Sequence, residues 1–490
     1  MRKKRELAVI LSVFLAAGSL FGCGSGGENS PSDGTGQVQK SVDKPIEITW
    51  GISKPGDENA QEAYEEVVEK YNSENTGNVI VKMNYVEYTD DAQYNTWLSS
   101  QLMGGVAPEV VATWYTPATE NFRKGLVRDL SDVLAKPNPY QDTGKAWQDS
   151  FSEGLLNQSM DNLSNAIPSI PMATVAVKIF YNKDIFKQCG ITELPSNFTE
   201  LMNVCQKIQD QGTVPFIVPN QSAADNVFNW LHRMFMDQMI DEIVTQLDLS
   251  GNEQVELNEI CAGFSRGQIN LTQEPWNGAL PLIKDFSQYW YPGYNGINAS
   301  TALDLFVKGE GAMLMNTGNT LKTFDSNPDI PFEIGYFTFP YLTKTDSPFA
   351  CEKIYEMGGA PQASQCIPSA VTGEKLDAAI DFLQYLSSEK AAAIFAEKCW
   401  WVPPFKQVSS LPEAMKDMYI EGNTSKLRLL APQTDQLLYQ DDTKLGQLYL
   451  EGNITEEEFS DRLQKDLEES VKQLMESNNW SEENEWGRNN

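Results

Sequence analysis

Histidine is almost missing from this chain: His232 is the single one in 490 residues. Most zinc sites, and nucleophile systems of the Ser-His-Asp or Cys-His type, are therefore without their usual parts. His232 itself, in the apolar stretch NWLHRMF, reads as a packed helix residue. Basic charge is also scarce, 37 Lys and Arg against 68 Asp and Glu, for a formal net charge of −31. That balance excludes a nucleic-acid partner, which needs a basic surface, and it favours a neutral or cationic ligand over an anionic one. No two cysteines have C-x-x-C spacing, so neither a redox motif nor a zinc knuckle is expected. The glycines of Gly309-Glu310-Gly311 and Gly358-Gly359 lack phosphate-loop spacing and a following Lys-Ser/Thr, so they read as turn glycines. Beyond the N-terminal leader no apolar run approaches the length of a membrane span. Neither a cofactor nor a metal is expected.

What the chain does have is enough core-forming material, 41% hydrophobic and 10% aromatic residues, for sizeable lobes rather than a disordered segment. It also opens with an address. Arg2, Lys3, Lys4 and Arg5 precede the apolar run LAVILSVFLAAGSLF at residues 7–21, of signal-peptide length and short of the roughly 20 residues that span a bilayer. The run ends in Leu20-Phe21-Gly22-Cys23, which resembles the lipobox of bacterial lipoproteins. That resemblance implies removal of residues 1–22 and lipidation of Cys23. Residues 24–43, GSGGENSPSDGTGQVQKSVD, have the composition of a flexible tether. Two or three acyl chains on one cysteine satisfy the requirement of stable anchoring for more than one chain, so the expected location is the extracytoplasmic face of the cell membrane. An oxidising compartment permits up to three disulfides among Cys189, Cys205, Cys261, Cys351, Cys366 and Cys399. Buried free thiols acting as small apolar side chains are the alternative.

From residue 45 strand and helix signals alternate, the mark of an α/β protein. Residues 46–52 (IEITWGI) read as a strand, and residues 60–71 as a helix with Ala63, Val67, Val68 and Tyr71 on one face. Residues 79–85 (VIVKMNY), a helix over 92–103 stopped by Gly104-Gly105, and EVVATW after Pro108 complete a β-α-β-α-β run. Ser196 or Asn197 caps a helix beginning near Phe198. The pattern further predicts a strand at AMLMN, one long amphipathic helix over 375–397, a last helix over 456–475, and a frayed polar tail from Glu476. Trp290-Tyr291-Pro292 reads as structural. The stretch DLSGNEQVELNE, residues 248–259, places Asp248, Ser250, Asn252, Glu256 and Glu259 at calcium-loop positions. Glu253 stands where that loop needs glycine, so the stretch reads as an acidic connection.

In order along the chain stand ITWGIS, QLMGGVAPEVVATW, LVRDLSDVL, IPMATVAVKIFYNKDIFKQCGITELPSNFTEL, ALDLFVKGEGAMLMNTGNTL and DFLQYLSSEKAAAIFAEKCWWVPPFKQV. Together they resemble the extracellular solute-binding proteins of bacterial ABC importers, the sugar-binding type related to maltose-binding protein. The resemblance implies a two-lobed α/β, type II periplasmic-binding fold with the ligand in the cleft between lobes. It places one lobe at residues 44–172 plus 362–400 and the other at 175–361 plus 402–490, with crossings near 172–175, 362–368 and 400–405. The implied function is a non-enzymatic, monomeric receptor that captures a carbohydrate, an oligosaccharide, and delivers it to membrane-embedded ABC permease subunits.

Sugar faces pack on aromatic rings while hydroxyls need polar partners. The candidate ligand-binding residues follow from that requirement. Trp114 and Tyr115 end the third strand, and Trp230 follows the polar loop Asn220–Asn226, in which Asp225 is the first hydrogen-bonding candidate. Asn316, Thr317 and Asn319 follow the strand AMLM. Trp400 and Trp401 sit at the expected crossing. Two alternatives share much of this sequence. A secreted glycoside hydrolase needs only a carboxylate pair, and a lipoprotein that presents ligand to a sensor kinase needs the same cleft.

Overall fold

The structure is a computed structural model that describes residues 44–488, save for 55–57, 89–90, 142–143, 153, 223–225, 406–407, 409, 417, 420–422, 428 and 432–435. The leader, Cys23, the tether and Asp225 lie outside the described residues. The body of the chain, Pro45–Asn490, is a compact unit of its own.

Strand β1 (Ile46–Ser53) leads through the helix Glu58–Glu74 to β2 (Val79–Val86). The helix Asp91–Gly104 then leads to β3 (Val110–Thr113). β1 pairs in parallel with both neighbours, as expected where helical crossovers separate strands. The sequence IEITWGIS turns Ile48, Trp50 and Ile52 inward. Trp50 is wholly buried against Tyr64 and Phe382, each ring centroid 5.1 Å away. Its indole N–H donates to Gln365 Oε1 at 2.7 Å, as a buried Trp requires. Ala63, Val67 and Tyr71 fall on the inner face of the first helix.

A second sheet begins with β4 (Ala173–Asn182) and adds β5 (Phe216–Ile217), β6 (Met313–Thr317) and β7 (Ile334–Phe337), in the order β5-β6-β4-β7. The Asn182 side chain accepts from the backbone of Asp184 and Ile185, ending β4 and starting the helix Lys183–Gln188. Asn197 caps the helix Phe198–Asp210 in the same way. Phe198, Phe235, Phe286 and Phe339 pack edge-on or stacked at the centre of this lobe, and Trp290 joins them at 5.8 Å from Phe286. Beneath the sheet, Lys178 and Glu356 form an ion pair at 3.0 Å, each side chain 1% exposed. His232 is buried, its Nδ1 2.7 Å from Asp442 Oδ1, and Asn229 supports the same carboxylate.

The chain returns through β8 (Tyr355–Glu356), β9 (Gly358–Gln362) and β10 (Ser364–Cys366). β9 pairs with β4 and β10 with β3; Ala363, at φ 48, turns the chain from one sheet to the other. A short β11 (Asn423–Thr424) pairs with β8. The Thr174 amide donates to the Val402 carbonyl at 2.9 Å. The passages around 174, 361 and 402 thus lie side by side.

Four sequence expectations need correction or settlement. The helix expected over 375–397 is two helices, Glu374–Leu386 and Glu389–Cys399. Ser388 breaks it by accepting from the Ala391 amide as an N-cap. The tail expected to fray is packed instead, because Trp480 and Trp486 are buried and the Trp486 carbonyl accepts from Asn258. All six described cysteines are free thiols, four of them buried; burial pushes Cys261 and Cys366 up to about 12, where they remain protonated. In the 248–259 loop the carboxylates turn to the backbone. Asp248 accepts from the amides of Gly251 and Glu253, and Glu259 from those of Leu249, Ser250 and Glu256. No group of three or more metal-ligating side chains occurs among the described residues.

Candidate functional site: the seam between the lobes

The carboxyl ends of parallel strands are where open α/β sheets hold ligands. Here they meet the crossing strands. Ile52 and Ser53 end β1, Ala112 and Thr113 end β3, and Ala173, Thr174 and Val175 begin β4; all line a cavity of 240 Å³. Trp114, Tyr64, Tyr88, Tyr94, Trp401 and Asn319 also line it. Trp401 is stacked on Phe395, with centroids 5.0 Å apart and planes 15° apart, and meets Tyr64 edge-on at 6.0 Å. Tyr94 donates to the Ala112 carbonyl at 2.7 Å, tying the helix to the end of β3. Burial pushes the hydroxyls of Tyr64 and Tyr94 far above their ordinary range, so both are neutral donors.

A second compartment of 180 Å³ shares Val175 and Gln362 with the first. Tyr115, Trp230, Arg233, Thr317 and Tyr439 line it together with Glu356 and Gly358. Its charged residues are of both signs. Asn226 accepts from the Asn229 amide at the start of the helix Val227–Leu247 and so positions Trp230 one turn in. Gly358 is required here: at φ +130 a Cβ would lie 2.4 Å from the Val175 carbonyl oxygen, a conformation for glycine alone.

Of the residues singled out in the sequence, Trp114, Asn319 and Trp401 line the first compartment and Tyr115, Trp230 and Thr317 the second. Asn316 lines neither; it pairs with Lys178 across the sheet, and its side chain accepts from the Thr317 amide. Trp400 is buried in a core cluster with Ala176, Phe180 and Met415. Its backbone is left-handed, φ 56, where it terminates the preceding helix. Asn220 and Asn226 are fully buried and hold the loop and helix start rather than offering donors to the cleft. Sequence reasoning missed Tyr64, Tyr88, Tyr94, Arg233 and Tyr439. Tyr64 follows Ala63 on the inward helix face, and no spacing separates a core tyrosine from one whose far edge reaches a cavity.

A larger hollow of 760 Å³ lies elsewhere, lined by Tyr181, Phe324, Tyr336 and Tyr419 with no residue of the first sheet. It is open on one side of β4 and β7, and movement of one lobe on the other would not enclose it. The seam is the better candidate for that reason.

Comparisons with known proteins bear on the family and the fold. The chain is 25% identical over 286 residues to the diacetylchitobiose binding protein DasA of Streptomyces coelicolor; the match covers 58% of this chain, and the chain spans 57% of that relative's length. A chitin oligosaccharide binding protein shares the fold with a TM-score of 0.60 at 18% identity, over 87% of this chain and 99% of its own. The sugar-binding protein MalE from Xanthomonas citri does so with a TM-score of 0.65 at 15% identity, over 88% and 98%. These two likenesses establish the two-lobed type II fold. The family model of the bacterial extracellular solute-binding proteins matches residues 56–393, well over half of the chain, and the protein belongs to that family, one of binding proteins and not of enzymes.

Proposed function

We propose that this protein is a lipid-anchored receptor that captures a carbohydrate, an oligosaccharide, outside the cell membrane and delivers it to the permease of an ABC importer. One observation carries the ligand class: the seam is walled by indole and phenol rings on the helices and loops that follow the strands, with amides, hydroxyls and the charged Arg233 and Glu356 between them. Such a lining packs the apolar faces of a pyranose and pairs its hydroxyl edges. The relatives named above bind sugars by their descriptions, which points the same way. Anchoring rests on the Leu-Phe-Gly-Cys sequence at Cys23, and delivery rests on family membership.

Capture works by lobe closure. Contacts to walls from both lobes are complete only when the lobes approach, so ligand shifts the population toward the closed form. The permease then has a shape to recognise that reports occupancy.

A thermal-shift screen against mono- and oligosaccharides, with chitin oligosaccharides first and with uronic acids, polyamines and peptides included, tests the ligand class. A ligand at 100 times its Kd adds about 2.7 kcal/mol to stability. The expected result is a shift from one saccharide class, recovered intact. A cleaved sugar would mean a hydrolase, and shifts from peptides or polyamines alone would overturn the carbohydrate assignment. Metabolic labelling with an alkynyl fatty acid tests the anchor, with loss of label expected in Cys23→Ala.

A further inference from the structure

We propose that the binding track continues past Tyr115 into a third compartment, so that the ligand is a linear saccharide of at least three rings with its far end against Trp480. The inference rests on the carbohydrate reading above and adds chain length and a subsite to it.

Tyr115 lines both the second compartment and a further cavity of 470 Å³. The first two compartments, 240 and 180 Å³, are each smaller than the roughly 300–1,000 Å³ usual for a small-molecule site. The third alone reaches that range. A ligand ending beside Trp230 would leave the roomiest part of the seam to water.

The third compartment is built for the same chemistry as the other two. Thr116 and Glu120 line it from the helix Tyr115–Arg123. Gln254, Leu257, Leu474 and Trp480 line it from the other lobe, and its charged residues, Glu120, Arg123, Lys124 and Glu256, are of both signs, as in the second compartment. The apolar surface of Trp480 and the two leucines suits a pyranose face, while the hydroxyl, carboxylate and amide suit its edge. Each compartment thus has its own aromatic platform: Trp114 with Trp401, Tyr115 with Trp230, and Trp480.

The walls are also held in place before ligand arrives. Arg123 pairs with Asp161 at 2.6 Å and donates to Asn162 at 2.9 Å. Asn162 donates to Asn258 at 2.6 Å, and Asn258 to the Trp486 carbonyl at 3.1 Å. This relay joins the helix after β3 to the C-terminal segment. Trp480 itself is fixed by its amide, which donates to the Met475 carbonyl at 3.0 Å, and by Asn479 at φ 54, which turns the chain back. A site with its walls already ordered loses less entropy on binding.

The test is calorimetric titration of the full chain in detergent with three series, β-1,4-N-acetylglucosamine, α-1,4-glucose and β-1,4-xylose, each of two to five rings. In the series that binds, affinity is expected to rise at least tenfold between two rings and four. Thr116→Trp, which fills the third compartment from a half-buried position in the first turn of its helix, is expected to remove that gain while the two-ring Kd stays within twofold. Trp480→Ala should do the same, and Thr116→Trp covers the case in which loss of a buried indole unfolds the chain. Equal affinity at every length, or a length gain untouched by Thr116→Trp, overturns the third compartment and leaves the carbohydrate reading standing. Failure of all three series to bind at any length overturns both.

Discussion

Trp400 and Trp401 are neighbours in sequence with opposite environments, and they separate stability from binding at single-residue resolution. Trp400 is 7% exposed within a core cluster, so Trp400→Ala is expected to cost about 3–5 kcal/mol in chemical denaturation and to leave ligand affinity of the folded fraction nearly unchanged. Trp401 lines the first compartment, and Trp401→Ala is expected to weaken ligand by about 2 kcal/mol, roughly 30-fold in Kd. Equal affinity losses in both variants would contradict the assignment. The sequence placed both tryptophans at a crossing but offered no way to divide them. The division comes from the helix end, where a left-handed Trp400 turns its side chain into the core and the next residue toward the cavity.

Two buried charges give further tests at the same scale. Lys178 Nζ meets Glu356 and the Thr338 hydroxyl. Lys178→Met removes the cation from a buried carboxylate, with an expected loss of about 3–5 kcal/mol, and adding Glu356→Leu should restore part of it. Unchanged denaturation midpoints in Lys178→Met would refute this. Glu259 is fully buried, and although three amides donate to it, burial outweighs them and pushes its carboxyl up from an ordinary 4.5 to about 7. Between those values the folded chain keeps a proton that the unfolded chain gives up, so its contribution to stability falls as pH rises through the window. Glu259→Gln is expected to flatten that slope in urea titrations at pH 4.5 to 7.5; an unaltered slope would assign the titration to other groups.

At the scale of elements, the first sheet and its helices were legible because their periodicities are strong. β1 lies within a residue of its expected bounds, and so do β3 and the cap at Asn197. The helix over 375–397 was misread because its apolar spacing runs through the break, and only the paired serines at 387 and 388 mark it. The packed tail was misread because polar residues dominate its composition, and two tryptophans six residues apart outweigh that polarity energetically. β9 was legible only as a turn signal at Gly358-Gly359, yet it is one of the three passages that join the lobes. Gly358→Ala sets a Cβ against the Val175 carbonyl at a backbone angle that only glycine holds with ease. An expected loss of about 1–3 kcal/mol, accompanied by weaker ligand binding, would show that crossing geometry and cleft geometry are one thing. A destabilised variant with full affinity would show that they are separate.

Over the whole molecule, the negative charge said nothing about the cleft, where Arg233 and Glu356 line one compartment together. Composition excluded whole classes of chemistry, and the ordered motifs carried the family. Compartment size and continuity could not be read, because they depend on how loops from distant parts of the chain meet: Tyr64, Trp114, Tyr439 and Trp480 share no local pattern. The central claim is that a carbohydrate is held in this seam by rings from both lobes. Titration calorimetry of the wild type and of a Trp114→Ala, Trp401→Ala variant with the best saccharide from the screen tests it most directly. The account expects one-site binding in the wild type and a loss of about 100-fold or more in the folded fraction of the variant. Saccharide binding of equal strength in both proteins would place the ligand elsewhere and contradict the account.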